Sequence, residues 1–103
     1  DQIVPLLSLG GKGVISVLAN VAPRQTHDIC ALFAQGKIQE SAALQIQLMP
    51  LINALFADVN PIPVKEAVNM MGKQAGPVRL PLVGPDETVC ALLKKELTAA
   101  GIL

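Results

Sequence analysis

A chain of 103 residues and 10.8 kDa holds enough apolar material for one domain and too little for two. Hydrophobic residues make up 51% and charged residues 16%, against roughly 25% charged in an average soluble chain, and the mean hydropathy of +0.51 excludes intrinsic disorder. Eight Lys and Arg offset eight Asp and Glu, no basic cluster occurs, and there is no Trp or Tyr to stack on bases, so a nucleic-acid surface is set aside as well.

Asp1 is positioned to N-cap a short apolar helix carrying Ile3, Val4, Leu6, Leu7 and Leu9, which Gly10 and Gly11 end. Gly13-Val14-Ile15-Ser16-Val17-Leu18 is a β-branched apolar run without polar alternation, the pattern of a strand buried on both faces in a parallel sheet. Pro23 suits the first turn of a helix whose apolar positions Thr26, Ile29, Cys30 and Phe33 recur at helical spacing, with Gly36 placed to stop it.

From Ile38 to Ala57 the spacing predicts a longer helix with two stripes, one through Leu44, Leu48, Leu51 and Leu55, the other through Ile46, Met49, Ile52 and Phe56. Pro50 inside it removes one hydrogen bond and clashes with the Ile46 carbonyl, so a kink or break is expected there. The uncharged run from Ser41 to Ala57 falls short of a membrane span and contains Gln45, Gln47, Pro50 and Asn53, which makes it a buried helix rather than a membrane one.

Asn60 followed by Pro61 reads as an N-cap with proline at the first helical position, and Val64, Ala67, Val68 and Met71 continue a helix that Gly72 ends. Between Lys73 and Gly84, Gly76, Pro77, Pro81 and Gly84 predict an irregular extended path. The last helix is expected to open at Pro85 with Asp86 and Glu87 in its first turn. It would place Val89, Leu92, Leu93, Leu97 and Ala100 on one face and stop at Gly101, followed by Ile102.

The expectation is thus mainly α, about five helices and one strand. A lone buried strand is physically incomplete: its N–H and C=O groups need partners, and no other segment has a comparable β-branched run. Its neighbours are expected in another chain or in a part of the protein outside these residues.

Three motifs in order resolve that conflict. Gly10-Gly11-Lys12-Gly13-Val14-Ile15-Ser16-Val17 leads into Ala19-Asn20-Val21-Ala22-Pro23; Asn60-Pro61-Ile62-Pro63-Val64-Lys65 follows, and then Arg79-Leu80-Pro81-Leu82. Together they resemble the dihydrodipicolinate synthase family, over the last third of such a protein. The resemblance implies the C-terminal fragment of a (β/α)8 TIM barrel plus its helical C-terminal extension. Residues 1–36 would carry the last strand and helix region of the barrel, with Val14–Leu18 as the eighth strand, and residues 37–103 the extension.

The family's chemistry, as the resemblance implies it, is a Schiff-base lyase reaction. Pyruvate condenses with aspartate semialdehyde to 4-hydroxy-tetrahydrodipicolinate, in diaminopimelate and lysine biosynthesis. A lysine amine turns the keto group into an iminium electron sink, which makes the pyruvate methyl acidic enough to attack an aldehyde. None of the lysines here suits that role. Lys12 precedes the strand, at the wrong end of a barrel, Lys65 sits on a helix beyond it, and Lys37, Lys73, Lys94 and Lys95 stand among polar neighbours. The chain has no Tyr to match the family's tyrosine. It is therefore expected to carry no catalytic residue and no metal or cofactor, and to be inactive alone.

What the resemblance assigns to this chain is part of a binding wall. Ile15 matches the eighth-strand isoleucine lining the pyruvate pocket, and Asn60 a residue near the pocket entrance. Ser16 and Asn20 lie where a side chain could approach, and Asp1 would be the tail of a Gly-Asp-Asp loop whose glycine precedes the chain. Each has a plainer reading beside it: Ile15 as core, Asn60 as an N-cap. His27 stands without a carboxylate or cysteine constellation, Cys30 and Cys90 read as small buried hydrophobes, and Met70 and Met71 as packing. The Gly10–Gly13 run lacks the spacing of a phosphate loop and precedes a strand, so it reads as a tight turn.

Two rival functions fit the same residues. Within the superfamily, N-acetylneuraminate lyase or a 2-keto-3-deoxy sugar acid aldolase is the alternative, against which Asn-Pro-Ile-Pro-Val-Lys favours the synthase. Outside it, the surplus of apolar stripes suggests a small helical self-associating interaction module. Homo-oligomerisation is expected on either view, with a homotetramer implied for the family. No membrane or nucleic-acid partner is expected. Cysteines in neither a disulfide nor a metal pattern fit a cytoplasmic protein, and a start at Asp1 rather than Met is expected to reflect processing or truncation.

Overall fold

The computed structural model describes all 103 residues and contains helices only: α1 (Ile3–Ser8), a 3-10 turn (Leu18–Asn20), α2 (Pro23–Ala34), α3 (Ile38–Leu55), α4 (Ile62–Met70) and α5 (Glu87–Ala99). By their contacts the residues form two compact units, Asp1–Met49 and Pro50–Leu103. The division falls within α3.

In the first unit, α1 and the 3-10 turn pack against α2. The apolar interior takes Ile3 and Leu7 from α1, Leu18 and Val21 from the turn region, and Ile29 from α2. Two buried polar side chains fix the entry of α3. The Ser41 hydroxyl donates to the Ile29 carbonyl at 2.7 Å, and Gln45 uses both ends of its amide, accepting from the Val4 N–H and donating to the Asp1 carbonyl, each at 2.7 Å. No buried side-chain nitrogen or oxygen lacks a partner, as burial of polar atoms demands.

In the second unit α4 packs against α5, with Ile62, Val64 and Ala67 on one side and Leu93 and Leu97 on the other. The Asp86 carboxylate accepts from the Val89 N–H at 2.9 Å, so Asp86 is the N-cap of α5 and not, as predicted, part of its first turn. Glycine stops work as expected. At the end of α2, Gly36 has φ +78°, its N–H reaches the Phe33 carbonyl at 3.0 Å and the Lys37 N–H reaches Leu32 at 2.9 Å, which is the Schellman closure. The same pair of bonds closes α1, α4 and α5.

Four further expectations are corrected. The strand is not formed: residues 11–16 carry no regular structure, Val14 is 40% exposed, and Ile15 is wholly exposed. A strand exists through its ladder, and nothing in the chain offers one. Asp1 does not cap α1, whose cap residue is Gln2 without a side-chain bond, because the Val4 N–H that an Asp1 carboxylate would take is accepted by the Gln45 side chain. Nor does Asn60 cap α4. Pro61 is the cap residue, the Ile62 N–H is taken by the Val59 carbonyl at 2.8 Å, and Pro63 has no N–H to offer.

Finally, α3 is not broken at Pro50, although it ends at Leu55, short of the expected Ala57. Pro50 is exposed and Ile46 is 69% exposed, so the carbonyl that loses its partner can turn to water. Meanwhile Leu48, Leu51, Ile52 and Leu55 are buried around it, each worth about 1.5–3 kcal/mol, which outweighs a proline penalty of about 3 kcal/mol. Pro50→Ala restores the ladder bond and is expected to stabilise the chain by up to about 3 kcal/mol. Leu97→Ala, at a fully buried position, is expected to destabilise it by about 2–5 kcal/mol. Opposite displacements of the urea midpoint check the pair.

Candidate functional site

Gly10 and Gly11 end α1 and launch the open segment. The Gly11 N–H donates to the Leu6 carbonyl at 2.9 Å, and a Cβ on Gly11 would stand 2.8 Å from that oxygen, so only glycine fits the turn. Beyond it, the amides of Lys12 to Val17 donate to no acceptor of the chain. Ile15, the candidate pocket residue, stands at the middle of this segment with its side chain in solvent. Ser16 and Asn20 are engaged locally. The Ser16 hydroxyl accepts from the Ala19 N–H at 3.2 Å and the Asn20 amide donates to the Val17 carbonyl at 3.0 Å, which together bracket the 3-10 turn.

Asn60 belongs to the second unit, on the loop entering α4, with its side chain exposed and without a hydrogen bond in the chain. Ile15 belongs to the first unit. Downstream of Asn60, α4 turns Ile62, Lys65, Glu66 and Asn69 toward residues 76–78 and 83–85, and the two together enclose a cleft of about 150 Å³. Asn69 accepts from the Ala75 N–H at 2.9 Å and donates to the Gly76 carbonyl at 3.1 Å, while the Lys65 ammonium donates to the Pro77 carbonyl at 2.7 Å. Sequence reasoning missed Asn69. Its only signal is the i, i+4 spacing from Lys65 on the helix face opposite a Gly-Pro turn.

The chain's other reactive groups form no second constellation. The Lys65 ammonium is held by a backbone carbonyl, Lys95 lies 3.3 Å from Glu96, and Lys12, Lys37, Lys73 and Lys94 are exposed. A Schiff-base amine needs a secluded pocket and an acid–base partner, which none of these has. His27 is exposed and touches only Asp28, at 3.2 Å. No three His, Cys, Asp or Glu side chains converge as metal ligands would. Burial pushes the Cys30 thiol up, and burial followed by the charges of Glu66, Asp86 and Glu87 does the same for Cys90, so both stay protonated near neutrality.

Residues 1–100 match the Dihydrodipicolinate synthetase family, and the chain belongs to that family. It is 57% identical over 102 residues to the 4-hydroxy-tetrahydrodipicolinate synthase of Caldicellulosiruptor bescii, covering 99% of this chain and 35% of the relative. To the enzyme of the same name from Lachnoclostridium phytofermentans it is 52% identical over 103 residues, again covering 35% of it. The crystal structure of dihydrodipicolinate synthase from Thermotoga maritima superposes with a TM-score of 0.95 at 44% identity, over 99% of this chain and 35% of that one. The chain spans about a third of the length of the relatives it matches.

Raised thiol pKa values predict slow alkylation. Iodoacetamide is expected to label Cys30 and Cys90 more slowly than a free model thiol at pH 8. The difference should shrink as pH rises through the elevated pKa values and the thiolates form; mass spectrometry of the labelled chain checks this.

Proposed function

We propose that the chain is the C-terminal third of a 4-hydroxy-tetrahydrodipicolinate synthase. In this reading residues 1–36 supply the end of the barrel, 37–103 its helical extension, and the whole enzyme condenses pyruvate with aspartate semialdehyde. The division at residue 36 concerns the parent architecture and differs in kind from the contact division at Met49. The Schiff-base lysine and its tyrosine partner come from the part of the enzyme outside these residues. Ile15 contributes apolar wall to the pyruvate pocket, and Asn60 an amide near its entrance, free to meet a substrate because it serves no cap. The synthase assembles as a homo-oligomer in the cytoplasm; no helix of this chain is long and apolar enough to cross a membrane.

The observation that supports this reading over a helical interaction module is the open segment. An interaction module can present apolar side chains, but a β-branched apolar run whose amides, Lys12 to Val17, have no acceptor in the chain suits burial between flanking strands that supply the carbonyls. The synthase name carried by the relatives at over 50% identity favours it over a sister lyase.

The test is a chimera in which this chain replaces the matching third of the Caldicellulosiruptor bescii enzyme. The 103 residues alone are expected to give no condensation product and no borohydride-trapped pyruvate adduct, whereas the chimera turns over. Ile15→Ala in the chimera is expected to lower kcat/KM for pyruvate by about tenfold. A folded chimera without activity overturns the proposal.

A further inference from the structure

We propose that Asn69 and Lys65 form a clamp that positions Asn60, so that Asn69 is a positioning residue for the condensation; this rests on the functional reading above. Three bonds carry the argument. Asn69 binds both sides of one turn of the loop, accepting from the Ala75 N–H at 2.9 Å and donating to the Gly76 carbonyl at 3.1 Å. Lys65, one helical turn earlier, donates to the next carbonyl, Pro77, at 2.7 Å. The loop between Lys73 and Gly84 is otherwise held by little: the Ala75 N–H is shared with the Lys73 carbonyl at 2.8 Å and Leu82 closes a turn on Arg79 at 3.0 Å.

The clamp's reach to Asn60 follows from the helix face. Ile62, Lys65, Glu66 and Asn69 lie on one side of α4 at i, i+3, i+4 and i+7, and all line the cleft that the loop closes. Ile62 is buried there, two residues after Asn60. Asn60 has no side-chain hydrogen bond of its own, so its placement is delegated to the first turn of α4, which the Val59–Ile62 and Pro61–Lys65 backbone bonds tie to it. Gly76, at φ +72°, lets the loop turn back onto the helix at the point where Asn69 grips it. Releasing the loop removes one wall of the Ile62 site and with it the fixed register of the Asn60 side chain.

The experiment is a double-mutant cycle in the same chimera, using Asn60→Ala, Asn69→Ala and both together, with steady-state kinetics on pyruvate and aspartate semialdehyde. Asn69→Ala is expected to raise KM about three- to tenfold, the worth of one or two hydrogen bonds, while kcat stays within about twofold. In the Asn60→Ala background it is expected to add nothing further. Hydrogen exchange in residues 73–78 should rise in both backgrounds. Asn69→Asp, which keeps the acceptor for Ala75 and loses the donor for Gly76, is expected to fall between, and serves if Asn69→Ala does not fold. Lys65→Arg should restore what Lys65→Met loses. Equal KM effects of Asn69→Ala with and without Asn60, or faster exchange with unchanged KM, overturn the clamp while leaving an active chimera as support for the synthase reading. An inactive unsubstituted chimera overturns that reading itself, and the clamp's role in the reaction with it.

Discussion

The backbone amides from Lys12 to Val17 donate to no acceptor of the chain, and this one constraint organises the rest. A peptide N–H can face water at little cost, but a β-branched apolar run carrying such amides cannot be buried unless the amides find carbonyls at the same time. The side chains and the backbone therefore ask for the same neighbours. With none within reach, Ile15 stands fully in solvent and the segment holds no ladder, while the helices on either side close their own hydrogen bonds without it. The rest of the first unit is finished in a way this segment is not: Gln45, Ser41 and Thr26 satisfy every polar atom they bury.

The contrast bears on the proposed chemistry. Stabilising an iminium electron sink takes an amine kept from water, and the lysines here are exposed or held by a carbonyl. What the chain holds instead is exposed apolar surface. Exposed Leu6, Leu9, Val14 and Ile15 flank the open amides, and exposed Val59, Leu80 and Val83 surround the entrance to α4 and the loop after it. An apolar content of 51% on a 103-residue chain is therefore not all spent on its core, since these side chains leave part of it on the surface.

Much of the helical layout was legible in the residues because helix ends obey local rules. A glycine one position past the last turn is a backbone requirement, and Gly10, Gly36, Gly72 and Gly101 all occupy that position with positive φ. The two caps misread, at Asp1 and Asn60, fail for a common reason. A capping side chain competes with other acceptors for the first amides, and those acceptors come from elsewhere in the chain: the Val59 carbonyl for Ile62, and Gln45 for the Val4 N–H. The helix runs on past Pro50 without a break because the proline penalty is local whereas the burial that outweighs it is not. Within the candidate site, the family's motifs pointed to Ile15 and Asn60 and no motif in the sequence pointed to Asn69, since an amide that pins a loop by both its ends leaves no periodic trace.

The strand was misread in a more instructive way. Its pattern was right about what the residues require and wrong about what this chain can supply, because secondary structure in a sheet belongs to pairs of strands and not to segments. A helix can be judged within one stretch of sequence, as α5 shows with its own cap, face and stop. A buried strand cannot, and the mismatch between Val14–Val17 as sequence and as structure measures the lateral neighbours that the residues call for. The chain spans 35% of its relatives, so about two-thirds of their length has no counterpart in these residues.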